Sequence, residues 1–181
     1  MIKENRNVTR PLIFLDMDGV FCFDKEHNSS TLLKNYSLEF SKNPSYWQKL
    51  VDPNAATNLK KLHEEFSPTY VMSSTWATYL DRTQIVEILC RTNLAYVANS
   101  LHLEWRTPRA LSSTRRDEIE EWLQHYRVSV QPFIVLDDYQ SGWSLTHSPL
   151  ALDGHVVLCN SKIGFTEVTL EEARKALSQQ T

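Results

Sequence analysis

Short apolar runs alternate with stretches of helical periodicity along this chain. Leu12–Leu15, Thr69–Met72, Phe133–Leu136 and Val156–Cys159 are four-residue runs bounded by polar or turn-forming residues, which predicts buried strands. Between them, Asn54–Phe66 sets Ala55, Leu59, Leu62 and Phe66 at helical spacing, with Asp52-Pro53 as a start signal. Arg82–Arg91 places Ile85, Ile88 and Leu89 on one side of a second helix. Arg115–His125 gains an apolar face from Ile119, Trp122 and Leu123, with Ser113-Thr114 placed to cap it. A last helix is predicted over Leu170–Leu177, capped by Thr169 and preceded by a loop containing Gly164. Leu94–Val97 predicts one more short strand, and residues 98–112 read as loop. Residues 21–52 read as irregular, broken at Asn28-Ser29-Ser30, Asn43-Pro44 and Asp52-Pro53.

Strands separated by helices predict an α/β fold with a mostly parallel sheet. In such folds the site lies outside the carboxyl ends of the strands. Three of the predicted strands end in polar residues suited to phosphoryl chemistry: Asp16 and Asp18, Ser73 and Ser74, and Asp137 and Asp138. The sharpest is the first. Four apolar residues run into two acids one residue apart and then Gly19, so the chain can turn both carboxylates into one crevice. Two buried acids that close repel unless a cation lies between them. Oxygen-only ligands beside a turn suit Mg²⁺, which takes a few carboxylates together with waters and phosphate oxygens.

Composition narrows this reading little. A length of 181 residues, 41% hydrophobic and 23% charged, predicts one globular domain over 1–181. A net charge of −3 gives no global attraction to nucleic acid. Cys22, Cys90 and Cys159 are odd in number and far apart, which reads as free thiols in a cytoplasmic protein. Met1–Arg10 is polar without an apolar signal core, and no apolar run reaches the ~18–20 residues of a membrane span. The six histidines show no ligand spacing, and His63 and His125 read as surface residues on helices. Trp47, Trp76, Trp105, Trp122 and Trp143 read as packing residues, although Trp47 and Trp143 lie where they could flank the site.

Four motifs in order give the chain a resemblance to the haloacid dehalogenase-like (HAD) hydrolases. They are Asp16-Met17-Asp18-Gly19 after an apolar strand, Ser73 after Tyr-Val-Met, a basic residue near a helix start, and Asp137-Asp138 after an apolar strand. The basic residue is Arg115, with Arg116 as the alternative; the family usually has lysine there. The match spans about residues 11–178. The chain is more closely similar to the small HAD domains of RNA-repair proteins. The shared features are Ser73-Ser74-Thr75-Trp76, the Arg115–Leu123 helix, the Leu136-Asp137-Asp138 strand end and Gly164-Phe165-Thr166.

The resemblance implies a three-layer α/β/α Rossmann-like core and a Mg²⁺-dependent phosphatase. It implies Asp16 as the nucleophile, forming an aspartyl-phosphate, and Asp18 as general acid and then base. Ser73 would hold a phosphoryl oxygen and Arg115 would neutralise charge. Ser74, Gly19 and Arg116 would assist substrate binding. Asp16, the backbone carbonyl of Asp18, Asp137 and Asp138 would hold Mg²⁺. Other readings remain open at this level: a phosphotransferase, or a non-catalytic module that binds phosphate or a partner.

HAD enzymes choose substrates largely through inserted caps. Residues 21–53 are longer than a bare flap and short for a helical cap, so a capless or minimally capped enzyme is expected. An open site suits large phosphorylated substrates such as nucleic-acid ends. Trp105, Arg106, Arg109, Arg115 and Arg116 fall within twelve residues, a basic and aromatic cluster able to engage phosphate and bases. The plainer reading is a basic loop with a packing tryptophan.

Overall fold

The computed structural model describes residues 9–23 and 44–180. In chain order they form β1 (Leu12–Leu15), α1 (Pro44–Leu50), α2 (Pro53–Phe66), β2 (Thr69–Met72), α3 (Trp76–Tyr79), α4 (Arg82–Arg91) and α5 (Ala95–Ala98). Then follow β3 (Leu101–Arg106), α6 (Arg115–Tyr126), β4 (Phe133–Asp138), a 3₁₀ turn (Trp143–Leu145), α7 (Pro149–Leu152), β5 (Val156–Cys159) and α8 (Glu167–Ser178).

The five strands make one sheet in the order β3-β2-β1-β4-β5, with every pair parallel. β1 is central and buried throughout. Its alternating side chains serve both faces of the sheet. Ile13 and Leu15 join Tyr70, Met72, Ile134 and Leu136 beneath α2, α4 and α8, whose Leu59, Leu62, Ile85, Ile88, Leu170 and Leu177 complete that core. Leu12 and Phe14 join Val71, Phe133 and Val135 on the other face, against Ile119 and Trp122 of α6. Phe14 meets Trp122 edge-on, with ring centroids 5.2 Å apart at 85°. The result is the three-layer α/β/α core that the motifs imply.

Several expectations need correction. Leu94–Val97 is not a strand. Leu94 and Val97 are buried at i, i+3 spacing, and the Leu94 carbonyl accepts from Val97 and Ala98, so the run enters the short helix α5. A four-residue apolar run cannot distinguish the two by pattern alone. Residues 98–112 are not all loop, because β3 lies within them. β3 is an edge strand whose register with β2 shifts between Tyr70 and Met72, and its polar, half-exposed sequence hides it. Residues 21–52 are not uniformly irregular: α1 lies there, and Trp47 and Leu50 are buried in the core. The rest of the expected flap or cap, residues 24–43, falls outside the described residues. The last helix starts earlier than expected. Thr166 is its cap, and Thr169 is the third helical residue, whose hydroxyl returns a bond to the cap.

His63 is half-buried rather than on the surface. It stacks on Tyr70 at 5.9 Å and packs on Tyr96 at 4.8 Å. Trp143 is 67% exposed and therefore not a packing residue. No described helix is long and apolar enough to cross a membrane.

Candidate active site

The sheet register brings the polar strand ends together. Leu15 is level with Met72 of β2 and Leu136 of β4, so Asp16, Ser73 and Asp137 emerge side by side. The ladders continue one step further: Asp16 N–H donates to the Leu136 carbonyl at 3.0 Å, and Ser73 N–H donates to the Leu15 carbonyl at 2.9 Å. Beyond Asp16 the chain turns tightly. The Met17 carbonyl accepts from Phe21 and Cys22, both at 2.9 Å, while Gly19 N–H donates to the Cys22 carbonyl at 3.0 Å. Gly19 adopts φ +72°, and a Cβ there would lie 2.8 Å from Asp138 Cγ. A bare backbone is therefore needed for this turn to sit against β4. The turn is closed from behind by Phe165, whose N–H donates to the Val20 carbonyl at 2.9 Å and whose ring meets Phe21.

Asp16, Asp137 and Asp138 are all buried and offer carboxylate oxygens within 4.8 Å of one another. Ser141 sits among them. Its Oγ lies 2.9 Å from Asp16 Oδ2 and 2.6 Å from Asp137 Oδ1, and closer still to Asp138 Oδ2. One hydroxyl has one proton to donate, so it cannot satisfy three carboxylates. The sequence reading did not include Ser141. Its signal was the Asp138-x-x-Ser141 spacing, an Asx-type turn in which Asp138 Oδ1 accepts from Gln140 N–H at 2.7 Å and Ser141 N–H at 3.4 Å.

Arg115 is the cation of the site. It occupies the first turn of α6, which Thr114 and Asp117 cap reciprocally. Its side chain is only 6% exposed. Nε lies 2.9 Å from Asp137 Oδ2, Nη2 3.8 Å from Asp16 Oδ1 and Nη1 3.6 Å from Glu118 Oε2. Nη1 also donates to Ser73 Oγ at 3.5 Å. The Nε–Oδ2 approach lacks hydrogen-bond alignment, and both atoms are buried without a hydrogen-bond partner. Burial alone would pull the guanidinium pKa down. Asp16, Asp137, Glu118 and Asp138 together outweigh that and hold it above its ordinary value.

Arg116 does not enter the site. One residue along a helix is a turn of about 100°. That rotation aims Arg116 at Asp117 and Glu120 on the half-exposed side of α6. Ser74 is buried next to Ser73, and its hydroxyl accepts from Trp76 N–H at 3.4 Å. Asp18 is half-buried, and its carboxylate stands outside the three-acid group. Cys22 lies behind these acids. Burial, then Asp18 and Asp16, push its thiol well above the usual range, so it stays protonated.

The charge balance identifies what the site can hold. Four buried carboxylates, Asp16, Asp137, Asp138 and Glu118, face one buried guanidinium. Uncompensated buried charge costs several kcal/mol per ion. Burial, reinforced by Asp16, raises Asp137 well above the usual carboxylate range, even against Arg115 and the Ser141 hydrogen bond. Arg115 engages Asp137 Oδ2 at 2.9 Å without an aligned hydrogen bond, which leaves the remaining oxygens of the three clustered acids to face a cation. An all-oxygen donor set with this excess of negative charge fits a hard dication such as Mg²⁺.

The model of the HAD domain in Swiss Army Knife RNA repair proteins matches residues 12–170. No curated protein and no solved structure gives a significant match.

Proposed function

The chain belongs to the family of HAD domains in Swiss Army Knife RNA repair proteins, and from that premise we propose a Mg²⁺-dependent phosphatase that hydrolyses phosphomonoesters through an aspartyl-phosphate on Asp16. The observation that carries this reading is the convergence of Asp16, Ser73, Arg115, Asp137 and Asp138 at the carboxyl edge of adjacent strands.

Asp16, Asp137, Asp138 and the backbone carbonyl of Asp18 would hold the metal in this reading. When bound, the metal neutralises the carboxylates and the phosphoryl oxygens so that the nucleophile and phosphorus can approach. A carboxylate oxygen of Asp16 attacks phosphorus and forms the new O–P bond as the ester O–P bond breaks. Asp18 gives its proton to the departing oxygen. It then takes a proton from water, whose oxygen attacks phosphorus, releases phosphate and restores Asp16. The partial exposure of Asp18 suits a group that must meet water. Arg115 and the Ser73 hydroxyl bind phosphoryl oxygens. Nucleotide or polynucleotide ends are the proposed substrates, in keeping with the family's RNA-repair setting.

Phosphate release from an aryl phosphate, mononucleotides and 3′- or 5′-phosphorylated oligonucleotides tests this. Release is expected to need Mg²⁺, to stop with EDTA and to stop in Asp16→Asn; Asp18→Asn is expected to lose about 10²–10⁴-fold. Turnover that survives Asp16→Asn refutes the covalent mechanism.

A further inference from the structure

Beside the acidic site, on the β2–β3 side, lies a cavity of about 270 Å³ lined by Ser74, Thr78, Arg106, Thr107, Arg109 and Glu118, among others. Its walls come from the end of β2, the short helix α3, the turn after β3 and the first turns of α6. Thr107 N–H donates to the Met72 carbonyl at 3.0 Å, so the turn after β3 is anchored level with the strand end that presents Ser73. Neighbouring strands are about 4.8 Å apart, which puts this wall roughly 10 Å along the carboxyl edge from β1.

Arg106 and Arg109 both line this cavity, and among the described residues each spends few of its guanidinium donors on protein acceptors. Arg106 is held in place, with Nη1 donating to the Ala77 carbonyl at 2.8 Å and the guanidinium 5.3 Å from the Trp105 ring centroid. Among the described residues it has no carboxylate partner. Arg109 donates to Thr75 Oγ1 at 3.3 Å and approaches Glu118 Oε1 only to 3.9 Å. Arginine carries five N–H donors in a fixed fork suited to phosphate. The acid in the wall does not cancel this charge. Glu118 is buried, takes a hydrogen bond from Ser113 at 2.9 Å and is drawn to Arg115 at 3.6 Å. Among the described residues the cavity therefore keeps net positive charge and several hydroxyls, the chemistry of an anion site.

Glu118 also joins this cavity to the acidic site, through the unbroken series Arg109–Glu118–Arg115–Asp16. We propose that the cavity binds a second phosphate of the substrate, one sugar away from the phosphate attacked by Asp16, with Arg106 and Arg109 as its specificity-determining residues. This rests on the phosphatase reading of the acidic site. The substrate class it defines is a phosphate–sugar–phosphate unit, whether a nucleoside bisphosphate or the end of a nucleic-acid strand.

The test is equilibrium binding to the Asp16→Asn chain at fixed ionic strength, because phosphate affinity depends on salt. The probes are a nucleoside 5′-monophosphate, the corresponding 3′,5′-bisphosphate and a 5′-phosphorylated dinucleotide. The two probes with a second phosphate are expected to bind at least about tenfold tighter than the monophosphate, a difference of about 1.4 kcal/mol. Arg106→Gln and Arg109→Gln, separately, are expected to remove most of that advantage. Arg106→Lys keeps the charge without the fork and is expected to keep part of it. A preference for the dinucleotide alone supports the proposal and names a strand end as the source. Equal binding of all three probes overturns it, as does an advantage that survives both glutamine variants. Binding is read without turnover, so a protein that releases no phosphate refutes the phosphatase reading and leaves this measurement to decide the cavity.

Discussion

Three glycines allow strain and steric overlap at the acidic cluster to be separated. Gly154 has φ +77° and open space where a Cβ would go. Alanine there suffers only the left-handed backbone, about 1–2 kcal/mol, offset by about 0.4–1 kcal/mol from the stiffer unfolded chain. The net loss is about 1 kcal/mol or less. Gly142 has φ −87°, so alanine there is unstrained. Its Cβ, however, would lie 2.8 Å from the Asp138 carbonyl oxygen and 3.0 Å from Leu158 Cδ2. Gly19 combines both faults. Its φ is +72°, and its Cβ would meet Asp138 Cγ at 2.8 Å, Asp138 Cβ at 2.9 Å and Ser161 Cβ at 3.0 Å. Asp138 cannot swing aside cheaply, because Gln140 and Ser141 hold its carboxylate. Overpacking of this kind costs about 1–3 kcal/mol. Gly19→Ala is therefore expected to lose about 2–4 kcal/mol and Gly154→Ala about 1 or less, with Gly142→Ala between them. Urea unfolding with and without Mg²⁺ reads these values. Displacement of Asp138 should also raise the Mg²⁺ concentration needed for phosphate release in Gly19→Ala, but not in Gly154→Ala. The reasoning fails if Gly19→Ala is within about 0.5 kcal/mol of Gly154→Ala and shares its Mg²⁺ requirement.

Two further outcomes follow from buried polar groups. Ser141→Ala takes away the hydroxyl that bridges three carboxylates, so without Mg²⁺ the protein should lose about 1–3 kcal/mol of stability, with most of it restored by Mg²⁺; a variant as stable as the parent in EDTA would refute the bridging role. Burial lowers the His63 pKa from its ordinary 6.5, with Arg10 adding and Glu64 opposing, so the unfolded chain binds a proton first as pH falls and stability drops below that value. His63→Gln, followed by urea midpoints over about pH 5 to 7, should flatten that loss; an unchanged slope would rule His63 out as its source.

Much of the fold and the first layer of the site were legible as local pattern. Runs such as Leu12–Leu15 and Phe133–Leu136 are apolar at every position because both faces of their sheet are covered. The helices whose apolar residues repeat at helical spacing, such as Arg82–Arg91, match their predicted spans closely. Acids and serines that directly follow such strands must emerge at one edge of a parallel sheet, which is why Asp16, Ser73, Asp137 and Asp138 could be read without coordinates. β3 could not be read, since an irregular edge strand is half-exposed and lacks alternation.

What only the tertiary structure decided depends on side-chain direction and on segments distant in sequence. Arg115 and Arg116 are adjacent and chemically alike; the rotation of α6 against the sheet turns one into the acids and the other toward Glu120. Ser141 gains meaning only when its turn folds back over β1, 125 residues away in sequence. The cavity of Arg106 and Arg109 is assembled from four segments, none of which carries the pattern alone. Sequence periodicity records which face of an element is buried. It does not record which side chains from different elements share one space, and that sharing sets the charge balance of the acidic cluster and the lining of the cavity beside it.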